Sequence, residues 1–218
     1  MQGAPQGPAR SAAAAPRGRP RDPVLDTAIL AAAERQLGER GFAGMSIEGV
    51  AAAAGTTAPS LRRRYWGKLE LAMAVIDSMR VEPLPEAPGE PRADALAILE
   101  NFRANMLRPN GMALLGTILA EERRRPELLE HFQQRLAEPR RARLRQALAR
   151  GAQAGHLPAG LDLDAAANLL IGAFYARYIG SRRIPDRWAE QVLGIVWPAG
   201  PDDQGGQQSA AGSRAEAG

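Results

Sequence analysis

Residues 46–68 read SIEGVAAAAGTTAPSLRRRYWGK, and the fold turns on how this stretch is arranged. Two short helices joined by a tight turn fit it. Ile47, Val50 and Ala51 share one face of the first helix, with Ala54 at its end and Ser46 where an N-cap belongs. Gly55 can enter positive φ at little steric cost, so the chain can turn there. Thr57 is placed to cap the second helix, with Pro59 in its first turn, where proline is tolerated. Leu61 and Tyr65, four residues apart, anchor that helix inward, which leaves Ala58, Ser60, Arg62, Arg63 and Arg64 on its outer side. Two short helices meeting steeply make a helix-turn-helix. Short side chains at the start of the second helix admit close approach to base edges. Arginines farther along can reach phosphates or the N7 and O6 of guanine. A helical hairpin with a solvated arginine face fits the same pattern and stands as the bland alternative.

Outward from this stretch, two neighbours favour nucleic acid. Upstream lies Pro16-Arg17-Gly18-Arg19-Pro20-Arg21, whose Arg-Gly-Arg-Pro core is similar to an AT-hook, a peptide that slides guanidinium groups into a narrow minor groove. A solubilising tail would look alike. Downstream, Lys68 begins the next helix, where its ammonium and the first backbone N–H groups can meet one phosphate. The net charge of +4 is unevenly spread: residues 1–68 carry ten Lys and Arg against five Asp and Glu, while the remainder carries 18 against 19. Excess positive charge at one end suits a polyanionic partner.

The wider pattern is all-α. Asp22 and Pro23 open a helix striped by Leu25, Ile29, Ala33 and Leu37, which Gly41 stops. A helix from Leu69 to Met79 fails at Pro83, Pro85, Pro88 and Pro91. Further helices carry Ala95 to Met106 and Met112 to Leu119. The next runs from Pro126 to Gly155, with Pro139 expected to kink or split it. Asp162 or Asp164 caps a helix bearing Leu170, Phe174 and Tyr178, and Trp188, Val192 and Ile195 line the last. The expected division is a disordered basic arm (1–21), a three-helix DNA-binding domain with its following helix (22–80), a Pro-rich hinge (81–91), a larger helical domain (92–199) and a disordered tail (200–218).

Residues 22–80 resemble the DNA-binding domain of the TetR family of bacterial repressors. The likeness rests on Gly41-Phe42, the Ser46 cap, the Ala54-Gly55 turn, Leu61, Tyr65, Lys68 and Leu71. Thr56 stands where the family often has Val, Arg62 where a phosphate-touching tyrosine is common, and Gly49 lies unusually inside a helix, at a cost of roughly 1 kcal/mol relative to alanine. The expected DNA contacts are Ser46, Thr56, Thr57, Ala58, Pro59, Ser60, Arg62, Arg63, Arg64, Tyr65 and Lys68 within the resembling stretch, with Arg17 and Arg19 added by the hook-like arm upstream of it. The resemblance also implies that the larger domain binds a small molecule and forms a homodimer, acting as a ligand-responsive repressor on an inverted-repeat operator.

Two features of the larger half agree. Phe102, Met106, Met112, Leu115, Leu119, Phe132, Phe174, Tyr175 and Tyr178 are large or flexible side chains suited to an adaptable pocket, though ordinary core packing would use them too. Gly172, Ala176 and Gly180 form a small-residue row beside Leu169. With Trp188, Val192 and Ile195 it would let a second copy approach closely. The arginines 123–125 and 140–145 are expected as solvated faces paired with nearby glutamates.

Composition narrows the rest. No cysteine and only two histidines exclude disulfide frameworks, thiolate or His-rich metal sites and cysteine nucleophiles. Glu121, Glu122, His131 and Tyr175 are capable of acid–base chemistry, but no phosphate loop, Ser/His/Asp order or metal spacing supports an enzyme, and no cofactor is expected. No hydrophobic stretch reaches the ~20 residues of a membrane span. With no signal peptide read at the start, a cytoplasmic protein is expected. The alternative function is a DNA-organising protein without an effector.

Overall fold

The computed structural model describes residues 22–79 and 89–198, and every regular element among them is helical. Helix α1 (Pro23–Gly44) begins as its sequence requires. The Asp22 carboxylate accepts the Val24 N–H at 3.0 Å, and Pro23 takes the first turn. Gly41 breaks the helix at φ +69°, and the residues just beyond carry Phe42 back into the core. Next come α2 (Ile47–Ala53), α3 (Ala58–Arg64) and α4 (Lys68–Ser78). Ile29, Ala33 and Leu37 of α1 share one apolar core with Val50, Leu61, Leu71 and Val75, and α1 packs along α4.

The expected hinge lies largely outside the described residues, except that Pro91 is the first residue of α5 (Pro91–Leu107). Helix α6 (Gly111–Ala120) is entered through Asn110 in the left-handed region at φ +65°. Then α7 (Pro126–Phe132) runs through a π turn (Gln133–Ala137) into α8 (Glu138–Gln153). The kink or split expected at Pro139 takes the form of this wide turn just before it. A proline ring clashes with the carbonyl four residues back, and the π turn loosens the backbone at that point without ending the helix. Asp162, not Asp164, caps α9 (Leu163–Ser181), accepting the 164 and 165 N–H groups at 3.0 Å each. Helix α10 (Trp188–Val196) closes the body.

Four expectations about large side chains need correction. Phe102 and Phe174 are fully buried and meet edge to face, with centroids 5.1 Å apart, and Trp188 stands edge-on to Phe174 at 5.4 Å. Such contacts add to the burial of three large side chains, so this cluster locks α5, α9 and α10 together. Trp188 thus faces inward and has no surface to offer a second copy. Phe102, Met106 and Phe174 are core residues behind the cavity wall described below.

Among the described residues, two helix junctions join the N-terminal helices to the body. At the first, α6 lies on α1: Thr117 Oγ1 donates to the Leu37 carbonyl at 3.0 Å, and Arg108 pairs with Glu34. A side chain at Gly38 would meet Asn110 Oδ1 at 2.8 Å, so glycine there permits the close approach. At the second, α4 lies on α7 and the π turn, where Asp77 accepts from Arg135 Nε at 2.8 Å and faces His131 Nε2 at 3.2 Å. Burial raises the Asp77 pKa, but Arg135 and His131 outweigh it and hold the carboxyl below its usual range. Among the described residues, no helix is long and apolar enough to cross a membrane.

Candidate functional site

Ser46 Oγ accepts the Gly49 N–H at 3.1 Å, and Thr57 Oγ1 accepts the Ser60 N–H at 3.3 Å, so hydroxyls cap both short helices. Gly55 turns between them at φ +68°. The unusual Gly49 has a packing reason. A Cβ there would meet Ser46 Oγ at 2.8 Å and the buried Gln36 amide at 2.9 Å, and that amide's oxygen accepts the Ser46 N–H. Glycine thus makes room for a second cap on α2. Leu61 is fully buried, Tyr65 is half-buried against the core, and Pro59, Arg62 and Arg63 are exposed along the outer face of α3. Thr56, Ala58 and Ser60 are half-buried at its start.

The three arginines divide. Arg64 pairs with Asp26 of α1, and both side chains are mostly buried. It follows Leu61 by three residues, so the helix carries it to the inner face. Its expected place on the outer face is corrected: Arg64 ties the end of α3 to α1. Arg62 pairs with Glu48 of α2, but both side chains are more than half exposed, where an ion pair is worth at most about 1 kcal/mol. The Glu48 carboxyl is held below its usual range by its own backbone N–H and then by Arg62. Arg63 makes no ion pair among the described residues. Arg17 and Arg19 lie outside them.

Lys68 Nζ donates to the Ala43 carbonyl at 2.9 Å and stands 4.7 Å from the Phe42 ring centroid. Burial first, then Arg125, lowers its pKa, with Glu121 opposing. Among the described residues no side chain caps α4, and the Glu70 carboxylate of its first turn accepts the backbone N–H of Trp66, just before the helix. That indole, 93% exposed, did not emerge from sequence reasoning; an aromatic with no place in any apolar stripe was the available signal.

In the body, a cavity of about 350 Å³ lies among α6, α7, the π turn, α8 and α9, within the size range of small-molecule sites. Of the residues expected to face a ligand, Met112, Leu115, Leu119, Phe132 and Tyr175 line it, whereas Tyr178 stacks on Phe174 away from it. Sequence reasoning missed Arg140 and Arg141 in its wall. Arg140 is buried, against the expectation of a solvated face. The signal was its spacing, four residues from both Leu136 and Leu144 on an apolar stripe. Among the described residues, no group of His, Asp and Glu side chains is arranged to hold a metal ion.

On α9, Leu169 is exposed beside Gly172, Ala176 and Gly180, and the two glycines have open space where a Cβ would stand. On α10, Ile195 is exposed and Val192 half-buried.

This geometry defines a helix-turn-helix protein with a helical body behind the reading head. Residues 29–75 match the model of "Bacterial regulatory proteins, tetR family", and residues 85–196 match "Tetracyclin repressor-like, C-terminal domain". The chain belongs to the TetR family of helix-turn-helix transcriptional regulators. Among curated relatives it is 26% identical over 179 residues to the uncharacterized HTH-type regulator YdeS of Bacillus subtilis, covering 81% of this chain and 90% of YdeS. MexZ, a repressor responsible for antibiotic resistance in Pseudomonas aeruginosa, shares its fold at TM-score 0.63 and 22% identity, over 79% of this chain and 90% of that one. FadR from Bacillus subtilis, solved with stearoyl-CoA, aligns at TM-score 0.62 and 15% identity, over 79% and 98%.

Proposed function

We propose that the protein is a ligand-responsive repressor that binds an inverted-repeat operator as a homodimer. One observation carries the proposal: the helices that bound the cavity also hold the head. Helix α6 contributes Met112, Leu115 and Leu119 to the cavity and lies on α1, while α7 contributes Leu129 and Phe132 and lies on α4. A molecule that pushes α6 and α7 apart must move α1 and α4, and with them α3. Ligand and DNA then favour different arrangements of one body, and the ligand shifts the equilibrium by its differential affinity for the two.

On the DNA side, Pro59, Arg62, Arg63 and the caps Ser46 and Thr57 face the duplex, with Ala58 and Ser60 short enough for close approach. Arg62 exchanges Glu48 for a phosphate, and the α4 N-terminus with Lys68 and Trp66 takes another. Leu169, the small row on α9 and Ile195 supply an apolar face for a second copy. A two-fold pair would set two copies of α3 in successive major grooves roughly 34–36 Å apart.

The test is selection of bound sequences from a random DNA pool, followed by fluorescence anisotropy on the winner. A compound found by thermal shift, since a native-state ligand raises Tm, is then added. An inverted repeat released by that compound supports the proposal; DNA retained at saturating compound refutes the ligand-responsive part.

A further inference from the structure

The cavity holds a charge that no described residue neutralises. Arg140 sits on the apolar stripe between Leu136 and Leu144 with 8% of its surface exposed. Its guanidinium carbon stands 5.1 Å from the Phe102 ring centroid, and among the described residues its buried Nε has no hydrogen-bond partner. Among the described residues no carboxylate pairs with it. Burial pushes the guanidinium below its ordinary value, and only the Tyr175 phenol opposes this. Arginine does not surrender its proton inside proteins, so a buried guanidinium calls for an anion.

The surroundings say which anion. Arg141 and Tyr175 share the cavity wall with Arg140. Burial raises the Tyr175 pKa despite both arginines, so its hydroxyl stays a donor at neutral pH. The remaining wall is almost wholly apolar, with Met112, Leu115, Leu129, Phe132 and Ile171 among its lining residues. Resting on the proposal that this cavity is the effector site, we infer that the effector is an amphipathic carboxylic acid: its carboxylate meets Arg140, Arg141 and Tyr175, and its apolar body lies along α6 and α7. A planar carboxylate matches the guanidinium fork with two parallel hydrogen bonds, and an apolar cavity strengthens them.

The experiment uses the full chain with decanoate, 1-decanol and decyl phosphate, measuring affinity by titration calorimetry and DNA release by anisotropy. Decanoate binds roughly tenfold to a hundredfold tighter than decanol, the worth of a charge-assisted contact. Arg140→Gln abolishes that preference, so that decanoate binds no tighter than decanol. Arg141→Gln, at a more accessible position, narrows the preference and serves should Arg140→Gln fail to fold. Without any ligand, Arg140→Met raises Tm, because an uncompensated buried charge is gone. Equal binding of acid and alcohol, tighter binding of decyl phosphate, no binding of decanoate, or a lower Tm in Arg140→Met overturns the inference. The two readings separate: acid-selective binding without DNA release defeats the ligand-responsive proposal alone, whereas release by acid and alcohol alike defeats the carboxylate alone.

Discussion

Replacing the three consecutive arginines of α3 separately should give two different phenotypes. Arg62 and Arg63 stand on the outer face, and in a two-fold dimer each occurs twice. Every lost phosphate contact removes about 0.9 from the slope of log affinity against log salt, so Arg62→Ala with Arg63→Ala subtracts up to about 3.6. Between 50 and 200 mM salt the wild type should therefore lose roughly a hundredfold more affinity than the double variant. Tm should hardly move, because the Arg62–Glu48 pair is solvated. Arg64→Ala is the converse. It strands the Asp26 carboxylate, whose side chain is 30% exposed beside an arginine at 19%. At about 1–2 kcal/mol for a partly buried charge-assisted pair, Tm falls by about 2–8 °C. Its salt slope should stay near that of the wild type. Anisotropy across a salt series and calorimetric melting read both quantities. If Arg64→Ala flattens the slope, or the outer pair leaves it untouched, the assignment of faces on α3 is wrong.

Three further outcomes follow from the same contacts. Glu48→Gln removes the carboxylate that competes with phosphate for Arg62, so operator affinity should rise roughly twofold to fivefold, and an unchanged or weaker affinity counts against that competition. Asp77 has a lowered pKa, so the stability it gives is present above the ordinary carboxylate range and is lost as pH falls through that range and below. Asp77→Asn should lower Tm by about 1–4 °C at pH 7, after discounting for solvent screening, and the two melting curves should converge in acid; a gap that persists there contradicts the assignment. Leu169→Asp with Ile195→Asp should turn a dimer into a monomer by sedimentation velocity while leaving the helical spectrum intact, and a surviving dimer would place the interface elsewhere.

Features read from the sequence succeeded where their cause is local. Asp22, Ser46 and Thr57 cap helices because a short oxygen-bearing side chain reaches an N–H two or three residues on, whatever the rest of the chain does. Gly55 turns for an equally local reason. Errors arose where the decisive contact comes from afar. Arg64 looked solvated until Asp26, 38 residues away, was beside it, although its spacing from Leu61 already pointed inward. Gly49 looked like a cost in helix propensity until Gln36 was found filling the space of its side chain. The charge-rich run after Pro139 concealed that Arg140 continues an apolar stripe through the π turn. Phe102, Phe174 and Trp188 come from three separate helices, and nothing in their local sequence distinguishes a core cluster from a ligand-facing wall.

Hydroxyl-radical footprinting on the selected operator tests the central claim most directly. Two protected half-sites of equal length related by a dyad, with centres one helical turn or a whole multiple apart, are the expected pattern. An unbroken or drifting zone of protection with no dyad would show that α3 does not read DNA as one of a symmetric pair.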